Sequence, residues 1–240
     1  MPDHAEPTSP VPDIDDRGPS RRRVRAVLFD FHGTLAQVEE ASQWVLAAAS
    51  ACGVDLDRAR ARAGGPLPAR VPPHLAELWA DRDLYEHAHR GAYTGLADTV
   101  DAGIEGFAEA LYERLLVPQG WVPYPDTVPT LAALRAADVR VAVVSNIGFD
   151  IRPLFDAWGL AELVDAHVLS YEVGRCKPDP AIFWRACGML GVDPEEALMV
   201  GDSPADAGAV AAGCAALILP AADPGRPNAL GSVLDLLPTP

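Results

Sequence analysis

The sequence predicts an α/β fold: an open parallel sheet with helices on both faces, and an α-helical cap inserted between the first strand and the second. Three observations carry this. Short apolar, β-branched runs recur at Val24–Phe29, Val139–Ser145, Val164–Ser170, Ala197–Gly201 and Ala215–Leu219. Helix-start signals fall between these runs. A stretch of roughly 80 residues with helical periodicity, too long for a simple crossover, separates the first run from the second.

Residues 1–22 hold Pro, Asp, Ser and Gly and little that packs, and read as a disordered leader. Val24–Phe29 is a buried strand running into Asp30, and Gly33 then supplies a turn. From Gln37 the pattern turns helical. Val38, Ala41, Trp44, Val45 and Ala48 follow i, i+3, i+4 spacing, with Gly53 as the stop. Pro66 to Pro73 breaks the pattern. Leu75, Leu78 and Trp79 open a second helix running to His89, and Phe107, Leu111 and Leu115 mark a third. After Trp121 the period changes. Thr127–Ala136 is a helix leading into the second strand, and Pro153–Leu160 is a short one. Asp179-Pro180 supplies an N-cap and a proline at the first helical position. Ser203-Pro204-Ala205-Asp206 is another helix start, with Asp206 at the third position of a capping box. Residues 221–240 are Pro- and Gly-rich, with a short helix near Val233. The domains are therefore a core of residues 23–36 and 120–240 and a helical cap of residues 37–119.

The 240 residues carry 19 Lys plus Arg against 34 Asp plus Glu, a formal net charge of -15. Such a surface repels nucleic-acid backbones and anionic lipid, so neither is expected as a main partner. Cys52, Cys176, Cys187 and Cys214 form no CxxC pair and read as free thiols of a reducing compartment. No apolar run reaches membrane-spanning length, and a cytoplasmic monomer or homodimer is expected. All the basic residues but one are Arg; the exception is Lys177.

In an open parallel sheet, ligands bind beyond the carboxyl ends of the strands. The first strand ends in Asp30-Phe31-His32-Gly33-Thr34, the second in Ser145-Asn146 and the fourth in Gly201-Asp202. Lys177 follows the third, and Asp206 lies four residues past Asp202. Two carboxylates, a hydroxyl and an ammonium thus converge on one place. A compact ammonium suits that place better than a bulkier Arg fork.

Four segments, Val-Leu-Phe-Asp-Phe-His-Gly-Thr-Leu (27–35), Val-Val-Ser-Asn (143–146), Lys-Pro-Asp-Pro (177–180) and Val-Gly-Asp-Ser-Pro-Ala-Asp (200–206), resemble the motifs of the haloacid dehalogenase-like (HAD) hydrolases in order and spacing. The resemblance implies a Rossmann-like core carrying a helical cap. It implies Asp30 as the nucleophile and Lys177, Ser145, Asn146 and Thr34 as phosphate-binding residues. It also implies Mg²⁺ held by Asp30, Asp202 and the backbone carbonyl of His32. For Asp206, structural support and a place behind the metal compete evenly.

Phosphoryl transfer fits these residues physically. A carboxylate attacking phosphorus splits one hard step into two. Two anions meet in that attack, so Mg²⁺ and Lys177 are needed to screen them. One residue departs from the family pattern. Its phosphatases usually carry a second Asp two residues after the nucleophile as general acid and base, and here His32 stands there. Neutral His can move protons near pH 7.

The expected activity is a Mg²⁺-dependent phosphatase of small phosphorylated metabolites. The alternative is a slow phosphotransferase, or a phosphate-binding protein limited by His32. A 2-haloacid dehalogenase is disfavoured by Gly201-Asp202, because the family's dehalogenases use no Mg²⁺. Substrate choice is expected in the cap, from among His74, Arg82, Asp83, Tyr85, His87, His89 and Arg90.

Overall fold

The computed structural model describes residues 23–55, 70–99, 103–223 and 225–237. The expected leader at 1–22 and residues 66–69 of the Pro-rich break lie outside the described residues.

In chain order the chain forms β1 (Ala26–Phe29), β2 (Ala36–Val38), α1 (Ala41–Ala51), α2 (Ala76–Asp81), α3 (Glu86–Asp98), α4 (Phe107–Leu115) and β3 (Trp121–Pro123). It continues with α5 (Thr127–Ala136), β4 (Arg140–Ser145), α6 (Arg152–Ala157), β5 (Ala166–Leu169), α7 (Ser170–Val173), α8 (Pro180–Leu190), β6 (Ala197–Gly201), α9 (Pro204–Ala207) and β7 (Ala215–Ile218). A short 3₁₀ helix, Leu230–Leu236, lies near the end.

The five long strands form one parallel sheet in the order β5-β4-β1-β6-β7. The central strand β1 is buried on both faces, which is why it reads as an unbroken apolar run. Alternate side chains feed two cores. Val27, Phe29, Val141 and Val143 pack with Leu131, Leu134, Leu154 and Phe155 on one face. Ala26, Leu28, Ala142 and Val144 pack with Ile182, Phe183, Ala186 and Met199 on the other. Strand order reverses at β1, so the crevice at its carboxyl end is open to a ligand.

Two expectations are corrected. Helical structure starts at Ala41, not Gln37: Gln37 and Val38 pair antiparallel with Val122 and Trp121, which satisfies their backbone groups as strand. The helix expected from Leu75 to His89 is two helices, broken at 82–85. Tyr85 is extended (φ -139°), and the Asp83 carbonyl accepts hydrogen bonds from Ser170 Oγ and Cys176 Sγ of the core. Tertiary contact overrides the helical pattern there.

The helical segment is joined to the core where it enters and leaves. Arg114 holds Glu39 with two hydrogen bonds, of 2.6 and 2.9 Å, and Trp121 Nε1 donates to Leu115 O at 2.8 Å. Over the sheet it rests on the loop after β4. The His89 ring meets Phe149 edge-on at 5.3 Å, and Gly148 lies so close that a Cβ there would fall 2.3 Å from Arg82 O. All four cysteines are free thiols, as expected. Among the described residues, no helix is long and apolar enough to cross a membrane.

Candidate active site

The carboxyl end of β1 delivers Asp30. Its N–H continues the sheet ladder to Val200 O at 2.9 Å, which fixes the backbone, and its side chain is buried. Phe31 points into the core against Trp121 and Phe155, so His32 faces out. The turn then needs Gly33. Its φ is +89°, and a Cβ there would lie 2.3 Å from Asp202 Oδ2. The Asp202 carboxylate therefore sits against bare backbone.

Lys177 is buried between two carboxylates, with Nζ 2.6 Å from Asp30 Oδ1 and 2.6 Å from Asp206 Oδ1. Asp206 Oδ2 accepts from Ser203 N at 3.0 Å and Ser203 Oγ at 2.6 Å, the capping box read from sequence. One residue thus starts α9 and anchors the Lys177 ammonium. Burial would lower the Lys177 pKa, but the Asp30 and Asp206 carboxylates outweigh it and hold it above its ordinary value. Burial raises Asp30 against the pull of Lys177. Burial, with Asp206 nearby, likewise raises Asp202.

Asp30, Asp202 and Asp206 place carboxylate oxygens within 4.8 Å of one another. Oxygen donors of this kind suit Mg²⁺. Gly33, lacking a Cβ, leaves room for the Asp202 carboxylate beside Asp30 and Asp206. These residues fit the ion that the motifs imply.

Asp30, Asp202, Lys177, Ser145, Asn146 and His32 line one cavity of ≈340 Å³, joined by Ser203 and Ala205 from the start of α9. The predicted site residues thus meet, with three differences. Asp206 does not line the cavity; it is fully buried, bonded to Lys177 Nζ. Thr34 does not line the cavity; it is fully buried, and its Oγ1 has no hydrogen-bond partner. Asn146 turns both ends of its side-chain amide to the Lys177 backbone, so that amide positions Lys177. His32 Nε2 lies 3.1 Å from Gln37 Oε1, and its ring meets Trp121 edge-on at 5.4 Å.

The helical segment closes the cavity with Arg82, Asp83 and Tyr93. The first two stood among the expected cap residues. Tyr93 did not, because its position in α3 follows from the break that sequence periodicity hides. Asn228 was also missed. Its Nδ2 donates to Gly33 O at 3.0 Å and Thr34 O at 2.9 Å, tying the C-terminal segment to the loop after Asp30. A lone Asn in a Pro- and Gly-rich stretch gives no signal for this.

A parallel sheet that converges charged side chains at its carboxyl edge, under a helical cover, defines an α/β enzyme. The chain belongs to the haloacid dehalogenase-like hydrolases, whose family model matches residues 24–213. (S)-2-haloacid dehalogenase 1 of Pseudomonas sp. strain CBS-3 is 28% identical over 202 residues, 79% of this chain and 81% of that protein. The glyceraldehyde 3-phosphate phosphatase of Methanopyrus kandleri is 41% identical over 81 residues, 33% of this chain and 35% of that protein. The crystal structure of a HAD phosphatase from Thermococcus onnurineus superposes with a TM-score of 0.57 at 27% identity, covering 88% of this chain and 97% of that one.

Proposed function

We infer that the protein is a Mg²⁺-dependent phosphatase of small phosphorylated metabolites, acting through an aspartyl-phosphate on Asp30. The observation that carries this reading is the cluster of Asp30, Asp202 and Asp206, with the Lys177 ammonium bonded to Asp30 and Asp206. Asp30, Asp202 and the His32 carbonyl would hold Mg²⁺, which supplies charge neutralisation for an attacking carboxylate and a phosphoryl group. Asp30 attacks phosphorus, and the bond to the leaving oxygen breaks. Lys177 and the Ser145 hydroxyl hold the phosphoryl oxygens. The leaving oxygen takes a proton from His32, whose ring orientation Gln37 fixes. Water then cleaves the acyl-phosphate, with His32 taking its proton. In this reading the enzyme works in the cytoplasm on a free small molecule, without nucleic acid or membrane as partner.

The rival reading is a 2-haloacid dehalogenase, favoured by a relative that matches 79% of the chain. The family's dehalogenases attack carbon with the same Asp and need no Mg²⁺. The deciding assay measures phosphate release from sugar phosphates, phosphoglycolate and an aryl phosphate, with Mg²⁺, with chelator, and with Asp30→Asn. Release that needs both metal and Asp30 supports the phosphatase. Halide release from 2-haloacids without metal replaces it with the dehalogenase. Absence of both leaves a phosphate-binding protein with slow turnover, and His32→Asp then shows whether His32 is the brake.

A further inference from the structure

The two halves of the cavity differ in charge. The core half holds the carboxylates and Lys177. The half contributed by the helical segment is a neutral unit made of Arg82, Asp83 and Tyr93. Arg82 is fixed from three sides. One guanidinium nitrogen donates to Trp79 O at 2.6 Å, the guanidinium carbon lies 4.3 Å from the Trp79 ring centroid, and the other nitrogen is 3.1 Å from Asp83 Oδ2. Tyr93 lines the same cavity beside this pair. Asp83 is seated on the core, its carbonyl taking Ser170 Oγ and Cys176 Sγ. The side chains of Arg82 and Asp83 are only 28% and 19% exposed, so the pair faces little solvent.

Arg82 is therefore a cation already compensated. A carboxylate entering beside it would meet the Asp83 carboxylate at close range and leave one of the two anions unpaired in a poorly solvated place. A hydroxyl has no such conflict. It accepts from the Arg82 N–H or the Tyr93 hydroxyl and donates to Asp83, leaving the ion pair intact. The volume, ≈340 Å³, is at the small end of ligand sites.

The geometry points to a phosphomonoester whose leaving group is a small, uncharged, hydroxylated carbon chain, a polyol or short sugar, with Arg82, Asp83 and Tyr93 as its specificity residues. This rests on the phosphatase reading above. A phosphorylated carboxylic acid is the disfavoured class.

The test compares kcat/KM of the unmodified protein, with Mg²⁺, on glycerol 1-phosphate and phosphoglycolate; an aryl phosphate reads phosphatase activity alone. Glycerol 1-phosphate is expected to be favoured by about tenfold or more, the scale of one hydrogen bond to a charged group. Asp83→Asn keeps the shape and uncovers the Arg82 charge, so the ratio should move by about tenfold toward phosphoglycolate. Binding of both compounds to Asp30→Asn, by calorimetry, should show the same order without turnover. Should Asp83→Asn fail to fold, the unmodified protein's ratio and Tyr93→Phe, which should weaken glycerol 1-phosphate selectively, still decide. Aryl phosphate cleavage with phosphoglycolate equal or preferred, or an Asp83→Asn ratio that does not move, overturns this inference alone. No cleavage of any of the three removes the phosphatase reading and this inference with it.

Discussion

Asn146 grips the backbone of Lys177 at both of its polar ends: Nδ2 donates to Lys177 O at 2.9 Å, and Oδ1 accepts from Lys177 N at 2.7 Å. Asn146 directly follows β4, and Lys177 lies in the loop before α8. This pair of hydrogen bonds therefore sets where the ammonium sits relative to Asp30. Asn146→Ala removes both. Each is worth about 0.5–1.5 kcal/mol, so a stability loss of about 1–3 kcal/mol is expected in urea unfolding. A displaced Lys177 should also lower kcat by about 10–100-fold. Asn146→Asp keeps the acceptor but sets a carboxylate against the Lys177 carbonyl, and should fall between the two. Unchanged kcat in Asn146→Ala would mean that Lys177 is positioned by Asp30 and Asp206 alone.

Lys177→Met tests the charge balance itself. It leaves the buried carboxylates of Asp30 and Asp206 facing each other without the ammonium. Removing one partner of a buried ion pair costs about 3–5 kcal/mol. The sign with pH follows from Asp30, whose pKa burial already raises and Lys177 pulls back. Without Lys177 it rises further, so the unfolded state holds fewer protons than the folded variant. The variant's deficit should be largest near pH 8 and shrink as the carboxylates protonate toward pH 5. Adding Asp30→Asn should restore part of the loss at pH 8. A deficit independent of pH would point to lost packing instead of unpaired charge.

Much of this was legible in the sequence because it is written in local patterns. The five strands are apolar runs of four to six residues, and Asp30 and Asp202 stand where β1 and β6 stop. Asp206 could be placed in a capping box from its spacing to Ser203. What stayed hidden depends on contacts far apart in sequence. Strands β2 and β3 have three residues each and exist because they pair with each other. The break at 82–85 exists because Ser170 takes the Asp83 carbonyl. The role of Asn146 needed the Lys177 backbone beside it, and Asn228 needed Gly33 and Thr34.

Gly33 should couple the loop to cation binding. In the proposed site Mg²⁺ stabilises the fold by binding the native state only, so the thermal midpoint should rise with Mg²⁺ concentration. A Cβ at residue 33 would lie 2.3 Å from Asp202 Oδ2 and 2.7 Å from Cγ, so Gly33→Ala must displace that carboxylate. The φ of +89° adds strain of about 1 kcal/mol. Gly33→Ala should melt lower without Mg²⁺, and should need about tenfold more Mg²⁺ for the same rise, the equivalent of about 1.4 kcal/mol. Asp202→Asn should show the same weakened response without the backbone strain. An unchanged Mg²⁺ titration in both variants would place the cation elsewhere.

The seam between the helical segment and the core should loosen in acid, because His89 is buried there as a neutral ring. Its Nδ1 lies 3.0 Å from Tyr112 Oη, and Tyr93 and Phe149 flank it at 4.6 and 5.3 Å. Burial first, and the Arg82 charge second, lower its pKa to about 4. In the unfolded chain the ring titrates near its ordinary value of about 6.5. Between those two values the unfolded state binds the extra proton, so stability falls as pH drops from about 6.5 to about 4, by up to about 3 kcal/mol. His167, packed edge-on to Phe155, is also lowered to about 4 by burial, and contributes with the same sign. The two separate by substitution. His89→Phe keeps an aromatic ring against Phe149 but cannot take a proton, so its urea unfolding curves from pH 7 to pH 4 should lose about one proton's worth of slope; His167→Phe should remove the other. Because His89 packs on Phe149 of the loop after β4 while His167 packs on Phe155 of α6, proteolysis at the seam should become acid-insensitive in His89→Phe and stay acid-sensitive in His167→Phe. An unchanged acid slope in His89→Phe would move the acid sensitivity away from the seam.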